Sequence, residues 1–307
     1  MRFEYAVEPK AVVADWKTCL YLMEQFGFDR GRLLSLFPKA WFRMAYDASA
    51  HLKPIDRKRV EDILARSRTS KTIRSGRPFS AELDWLRNAV TQHAIDPFHA
   101  IIAQENPQSF PFVLRADEVD ETHPLMISPR NWEVPRVGTA LAGAMAPLLR
   151  TANTILFVDK YFKFDDSKCK ETLHEALLLL SANGQTHLRC EIHIADHPYG
   201  KPMNLIEPNI GRWLRGVIPD EMSIVLYYWK EKVGGADFHA RYLLTDRGGM
   251  NIDAGFSAEG SHQTVQVTIL ESDLWKAKLS ALDRTSTVYE LAGPILQVSH
   301  DGKVQQI

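Results

Sequence analysis

The sequence predicts an α/β protein, α+β overall. A mainly helical region fills residues 1–130, and a domain with a mixed sheet covered by helices fills residues 131–307. Two observations carry this. Apolar residues recur at helical spacing from 11 to about 94, whereas beyond 136 short continuous apolar runs alternate with helix-length segments. In that second half the early strands are separated by helices and the later ones follow one another directly, the pattern of a mixed sheet.

In the first part, Trp16, Leu20, Met23 and Phe26 or Phe28 fall near a spacing of 3.6, and Phe-Gly-Phe-Asp breaks the run. Helices are then expected over 30–36, over 41–50, and from a cap at Asp56 to about residue 68. From 97 to 135, apolar runs at 100–103 and 112–114 stand between Pro, Asn and Asp, which reads as short strands and loops. In the second part the expected order is a small-residue helix over 138–152, a strand over 154–158 ending at Asp159, and a helix over 168–180. A strand over 188–195 follows, ending in Asp196-His197-Pro198, then a helix over 209–215 and a strand over 223–229. Strands over 240–244, 250–256 and 265–270 and a closing helix over 273–282 complete it.

Composition narrows the class. Of 307 residues, 45% are hydrophobic and 24% charged, which fits a globular protein with a sizeable core. A formal net charge of -1 and a pI near 6.8 give no overall bias toward nucleic acid or membrane, so any such partner has to be met by a local patch. Cys19, Cys169 and Cys190 are far apart and in no CxxC arrangement, which argues for a reducing compartment and against a disulfide or cysteine-zinc framework. The opening MRFEYAVEPK has no signal-peptide core, and no stretch reads as a transmembrane segment; the expectation is a cytoplasmic protein.

The chemistry concentrates in Asp237-Phe238-His239-Ala240-Arg241, which runs through Tyr-Leu-Leu-Thr into Asp246-Arg247-Gly248-Gly249. His239 and Arg241 are two positions apart, so on an extended chain they share a face. An imidazole can attack phosphorus or pass a proton near neutral pH, and a guanidinium grips phosphate oxygens in a bidentate fork. Asp246 offers a carboxylate to orient a histidine, in this subunit or another. Gly255 lets the backbone approach a ligand closely, and Ser257 offers a hydroxyl.

His-x-Arg-x4-Asp followed by Gly-Phe-Ser at 255–257 resembles the HxK-x4-D signature of the phospholipase D superfamily, with Arg in place of Lys. The stretch Ile-Leu-Phe-Val-Asp-Lys-Tyr-Phe at 155–162 resembles the opening strand of the same domain. The likeness covers about residues 136–290 and is nearer to a divergent single-motif branch, which includes the phospholipase D-like C-terminal module of MIT-domain proteins. It implies an α/β/α sandwich with a mixed sheet. It also implies that two motif histidines meet at one site, one as nucleophile and one protonating the leaving group. With one motif per chain, it implies a homodimer. Carried over, His239 is nucleophile or acid, Arg241 the phosphate-binding cation and Asp246 the orienting carboxylate. No cofactor is implied. Arg for Lys, the longer gap to Gly255, and Phe256 before the serine are departures from the pattern.

Asp159 and Asp196-His197 stand at the apparent C-terminal ends of strands, the rim where α/β proteins place ligands, which makes Asp159 and His197 substrate-binding candidates. Glu231 or Asp237, just before His239, is open to the same placement, which spacing alone does not decide. His193 and His197 form no convincing metal pair, because no third ligand is near; a hydrogen-bonded Asp-His-Pro turn is preferred, and no metal is assigned. Between 53 and 77, nine cations face Asp56, Glu61 and Asp62, a local net of +6. Arg57, Lys58, Arg66, Arg68, Lys71, Arg74 and Arg77 are the nucleic-acid contact candidates; the bland reading is a solvated helix face with i,i+4 pairs. Phe37, Trp41, Phe42 and Tyr46 read as core. The functional expectation is a phosphodiester-binding protein, a metal-independent nuclease-type phosphodiesterase with nucleic acid as its partner. The rival readings are a non-catalytic phosphate, nucleic-acid or anionic-lipid binding module, and a structural adaptor.

Overall fold

In the computed structural model, which describes residues 4–198, 200–239 and 241–307, the chain divides into two units, 1–130 and 131–307. The first holds the helices Trp16–Glu24, Trp41–Ala48, Pro54–Ser70 and Trp85–Ile95 around a sheet. Its strands are β1 (Glu4–Val7), β2 (Leu33–Leu36), β3 (Thr72–Arg74), β4 (Ala100–Ala103) and β5 (Val113–Arg115), all parallel, in the order β3-β2-β1-β4-β5. This unit is therefore helix-rich but layered on a parallel sheet, and β2 corrects the helix expected over 30–36. The reason is physical. Covered on both faces, β2 and β4 are buried almost throughout, so their residues do not alternate, and a four-residue apolar run has no period to read.

Local chemistry sets the helix starts. The Asp15 carboxylate accepts from the backbone N–H groups of Lys17 (2.8 Å) and Thr18 (3.1 Å), capping Trp16–Glu24. Asp56 is not a cap: its helix begins at Pro54, whose missing N–H costs nothing in a first turn, and Asp56 lies within that turn, where the helix dipole favours a carboxylate. Phe37 and Trp41 are fully buried, as a core assignment requires, while Tyr46 stays exposed beneath Arg57.

The second unit is a mixed sheet. Its strands are β6 (Asn131–Arg136), β7 (Thr154–Val158), β8 (Arg189–Ala195), β9 (Ser223–Glu231), β10 (Tyr242–Thr245), β11 (Gly249–Ile252), β12 (Gly260–Ile269), β13 (Tyr289–Leu291), β14 (Leu296–Ser299) and β15 (Val304–Gln306). The order is β15-β14-β9-β8-β7-β10-β11-β12-β6, with β13 also on β9. β7, β8 and β9 are parallel and the remaining pairings antiparallel. Helices Gly138–Leu149 and Ser167–Ala182 pack on each other before and after β7. One sheet face, with Leu156, Val158, Tyr227, Trp229 and Leu244, packs against Trp275 and Leu279 of helix Ser272–Ala281. Ile155, Phe157, Ile192 and Ile194 alternate with that set and are buried as well, so the central strands read as continuous apolar runs. No helix of the described residues is long and apolar enough to cross a membrane.

Candidate functional site

Parallel pairing brings the carboxyl ends of β7, β8 and β9 to one edge, and the chain leaves that edge with its polar residues. The Asp159 N–H donates to the His193 carbonyl (3.0 Å) and the Asp196 N–H to the Trp229 carbonyl (2.7 Å), so both turns rise directly from the sheet. Asp159 is 5% exposed. Its carboxylate accepts from the N–H groups of Tyr161 (2.9 Å) and Phe256 (3.4 Å) and lies 3.8 Å from Nε of Arg241. Burial pushes its pKa above the usual carboxylate range, against the pull of those N–H groups and of Arg241.

Gly255 makes this approach possible. Its φ of +76° favours glycine, and a Cβ there would collide with the Asp159 carboxylate and come within 3.1 Å of Cδ of Arg241. Arg241 donates from Nη1 to the Asp253 carbonyl (2.6 Å) and places its guanidinium carbon 5.2 Å from the centre of the Tyr161 ring.

Tyr161 is the hub. The His197 ring lies 4.8 Å from it at 71°, and the His239 ring 6.5 Å at 87°. His239 is exposed, on the segment that leads into β10 rather than within the strand; the part of the expected 240–244 strand at residue 240 lies outside the described residues. Beside it, the Glu231 carboxylate accepts from Nζ of Lys160 (2.5 Å) and the N–H of Phe238 (2.9 Å), which pins the turn after β9. Lys160 and those bonds hold Glu231 below the ordinary range, while burial and then Lys160 lower the pKa of His197. A cavity of about 390 Å³ opens beside Tyr161 and His197, lined also by Lys160, Lys163, Phe164 and Lys201. A smaller one, about 180 Å³, lies beside His239 among Phe238, Tyr242, Leu282 and Tyr289. Asp159, His197, His239, Arg241 and Gly255 thus meet at one rim.

Other expectations are corrected. Asp246 does not orient His239. β10 runs antiparallel to β7 and carries Asp246 to the opposite end, where it accepts from the N–H of Asn153 (2.8 Å), the Asn153 side chain (2.9 Å) and the N–H of Thr154 (3.3 Å). The Ser257 hydroxyl donates to Glu259 (2.7 Å), which also faces Arg136 and Lys168, so it belongs to a separate polar group. His193 is fully buried. Its Nδ1 accepts from the Trp229 indole N–H (2.9 Å), which leaves Nε2–H to donate to Glu191 (3.0 Å). It is a core histidine, and the described residues contain no cluster able to hold a metal.

The basic run of the first unit is not one array. Lys71 gives its ammonium to the Met23 carbonyl (2.7 Å), and Arg77 is clamped by Glu4 (3.0 Å) and Asp96 (3.1 Å) above Phe98; both are structural, because burial demands a partner for their charge. Lys58 faces Glu61 and Asp62, and Arg66 reaches back to the Asp62 carbonyl. Arg57 and Arg68 lie over Tyr46 and Phe42, and Arg74 is exposed on edge strand β3. Reading residues alone assigned no role to Tyr161 or Lys163; their signal was position, directly after the strand-ending Asp159.

No family model and no curated protein matches the chain. A solved structure similar to it is that of TrmBL2, an archaeal chromatin protein with a novel mode of DNA binding, at a TM-score of 0.26 and 13% identity over 52% of this chain and 51% of that one. The chain spans about half the length of that protein, and a likeness of this size carries no argument about fold or activity.

Proposed function

We propose that the second unit binds a phosphodiester at the rim formed by Asp159, Tyr161, His197, His239 and Arg241, and hydrolyses it. The observation that supports this most is the meeting of a guanidinium and an exposed imidazole on one aromatic ring, above a buried carboxylate. Arg241 neutralises the non-bridging oxygens, and His239 acts as nucleophile or acid; with those roles filled by side chains, the step as written calls on no metal. Nucleic acid is the favoured substrate. On the cavity wall, where Lys201 is paired with Asp165 (3.1 Å), Lys163 suits a polyanion, and the helix Pro54–Ser70 offers Arg57, Lys58, Arg66 and Arg68 for contacts that fix position rather than sequence.

A second reading, a phosphate-binding module without turnover, draws on the engagement of Arg241 with both Asp159 and the Asp253 carbonyl. The test is incubation of the pure protein in EDTA with labelled single- and double-stranded DNA and RNA, beside His239→Ala and Arg241→Ala. Cleavage lost in His239→Ala is the expected result. Salt-sensitive binding that survives His239→Ala but weakens in Arg241→Ala, with no cleavage by any of the proteins, selects the second reading. Equal behaviour of all three proteins refutes both.

A further inference from the structure

We propose that the smaller cavity beside His239 seats a single pyrimidine base, so that the site takes its phosphodiester from single-stranded nucleic acid at a pyrimidine nucleotide. The inference rests on the reading that a phosphodiester binds at His239 and Arg241, and it names the group which that phosphodiester carries.

The walls of the cavity are those of a slot for a flat ring. Phe238, Tyr242, Leu282 and Tyr289 line it, together with Val158 at the end of β7. They come from the approach to β10, from β10 itself, from the end of helix Ser272–Ala281 and from β13, so only the fold assembles them. The Phe238 and Tyr289 rings meet edge to face, with centroids 5.1 Å apart at 64°. Each is also anchored from outside the slot. The Phe238 N–H donates to Glu231 (2.9 Å), and the Tyr289 hydroxyl donates to the Asp237 carbonyl (3.3 Å). These walls are held before any ligand arrives, and binding costs little reordering of them.

Size and polarity choose the occupant. An apolar cavity of about 150 Å³ takes up one benzene ring. This one, at about 180 Å³, has room for one six-membered ring and its small substituents, not for the fused rings of a purine. Aromatic walls hold the π-face of any base, so discrimination falls to the rim of the slot. Lys278 lines it, with Nζ 5.7 Å from the centre of the Tyr242 ring, and an ammonium group only donates. Every pyrimidine base carries a ring carbonyl that accepts such a bond; adenine carries none. His239 ties the slot to the phosphate. It lines the cavity, and its ring lies 6.5 Å from that of Tyr161, over which the Arg241 guanidinium stands at 5.2 Å. A base in the slot therefore delivers the phosphate joined to it through the sugar to His239 and Arg241 together. A base stacked and paired in a duplex cannot enter, which makes the substrate a single strand or an opened end.

The test uses three short strands of equal length on a cleavage-resistant phosphorothioate backbone: oligothymidylate, oligodeoxyadenylate, and a strand whose sugars carry no bases. Affinity for each is measured by calorimetry at one salt concentration, for the full chain and for Ala281→Leu and Lys278→Ala. The wild type is expected to bind the thymidylate strand about tenfold or more tighter than either of the others, the scale of one base stacked on aromatic side chains. Ala281 lines the slot, and a leucine there fills it. In both variants the ratio of thymidylate to baseless affinity is expected to fall toward one; taken within each protein, it is not imitated by a general loss of binding. Lys278 is partly exposed on its helix, so Lys278→Ala keeps the test open if the larger side chain at 281 disturbs the fold. Equal wild-type affinity for the thymidylate and baseless strands overturns the base slot and leaves the phosphodiester reading standing. No binding of any strand overturns both. A preference for the adenylate strand overturns the one-ring occupant, and a thymidylate preference that both variants keep overturns the place of the slot.

Discussion

Nε of Arg241 stands 3.8 Å from the carboxylate of Asp159, and the backbone of Gly255 passes against both groups. The phosphate-binding cation of the proposed site is therefore aimed by a buried acid and by a glycine fourteen positions further along the chain. Gly255→Ala tests that dependence. A left-handed φ costs a residue with a Cβ about 1–2 kcal/mol, and the collision with Asp159 adds to it. Urea unfolding is expected to show at least that loss, and phosphate affinity is expected to fall with it because Arg241 is displaced. A variant as stable as the wild type would mean that the contact is not tight.

Asp159 also makes a prediction about pH. Because burial raises its pKa in the folded chain, the folded state keeps a proton that the unfolded state has already released. The contribution of this group to stability is therefore greatest in acid, below the ordinary carboxylate value, and declines as pH rises from there through the folded value. Asp159→Asn removes the decline. The stability of the wild type minus that of the variant, from urea unfolding across the acid range, is expected to shrink as pH rises. A difference that grows with pH would show that Arg241, not burial, dominates the carboxylate.

Asp246 is expected to behave as a structural residue. Its carboxylate satisfies two backbone N–H groups and one side-chain amide where β7 begins, so Asp246→Ala is expected to cost about 1–2 kcal/mol, the sum of a few modest net hydrogen bonds. Phosphate affinity should stay where it was. Weakened phosphate binding in a variant that remains fully folded would return Asp246 to the site.

This residue also marks how far the sequence could be read. Spacing put His239 and Arg241 two positions apart, and in the structure both stand ahead of β10 and reach the Tyr161 ring. It could not place Asp246, because a residue at the far end of a strand goes where the sheet takes it, and the antiparallel pairing with β7 takes it away from the rim. Asp159 and His197 were legible as strand-end residues, the position parallel pairing turns into an edge. Tyr161 was not, since only the fold shows that two loops bring imidazoles to its ring. In the first unit, 33–36 could not be told from a helix, because a four-residue strand with covered faces has no alternation. Lys71 and Arg77 read as free charge because their partners, the Met23 carbonyl and Glu4, are distant in sequence.

His193 supplies the last prediction. The Trp229 indole can only donate, so Nδ1 of His193 accepts and the buried ring is neutral; burial lowers its pKa further, against the opposing pull of Glu191. In the unfolded chain the same imidazole takes up a proton near its ordinary value of about 6.5. Between the lowered folded value and that ordinary value, the unfolded state binds more protons, so stability is fully present above about pH 6.5 and is lost as pH falls. One such group gives at most about 1.4 kcal/mol per pH unit. Glu191, buried but held below the ordinary carboxylate range by the His193 N–H and by Arg189, adds its own loss only at more acid pH. In His193→Gln, an amide keeps a donor for Glu191 and an acceptor for Trp229 but cannot take up the proton. Urea unfolding at pH 7.5, 6.5 and 5.5 is expected to give a steeper fall for the wild type than for this variant. Parallel curves would show that the ring carries no proton-linked stability and that its bond to Trp229 does not persist in solution.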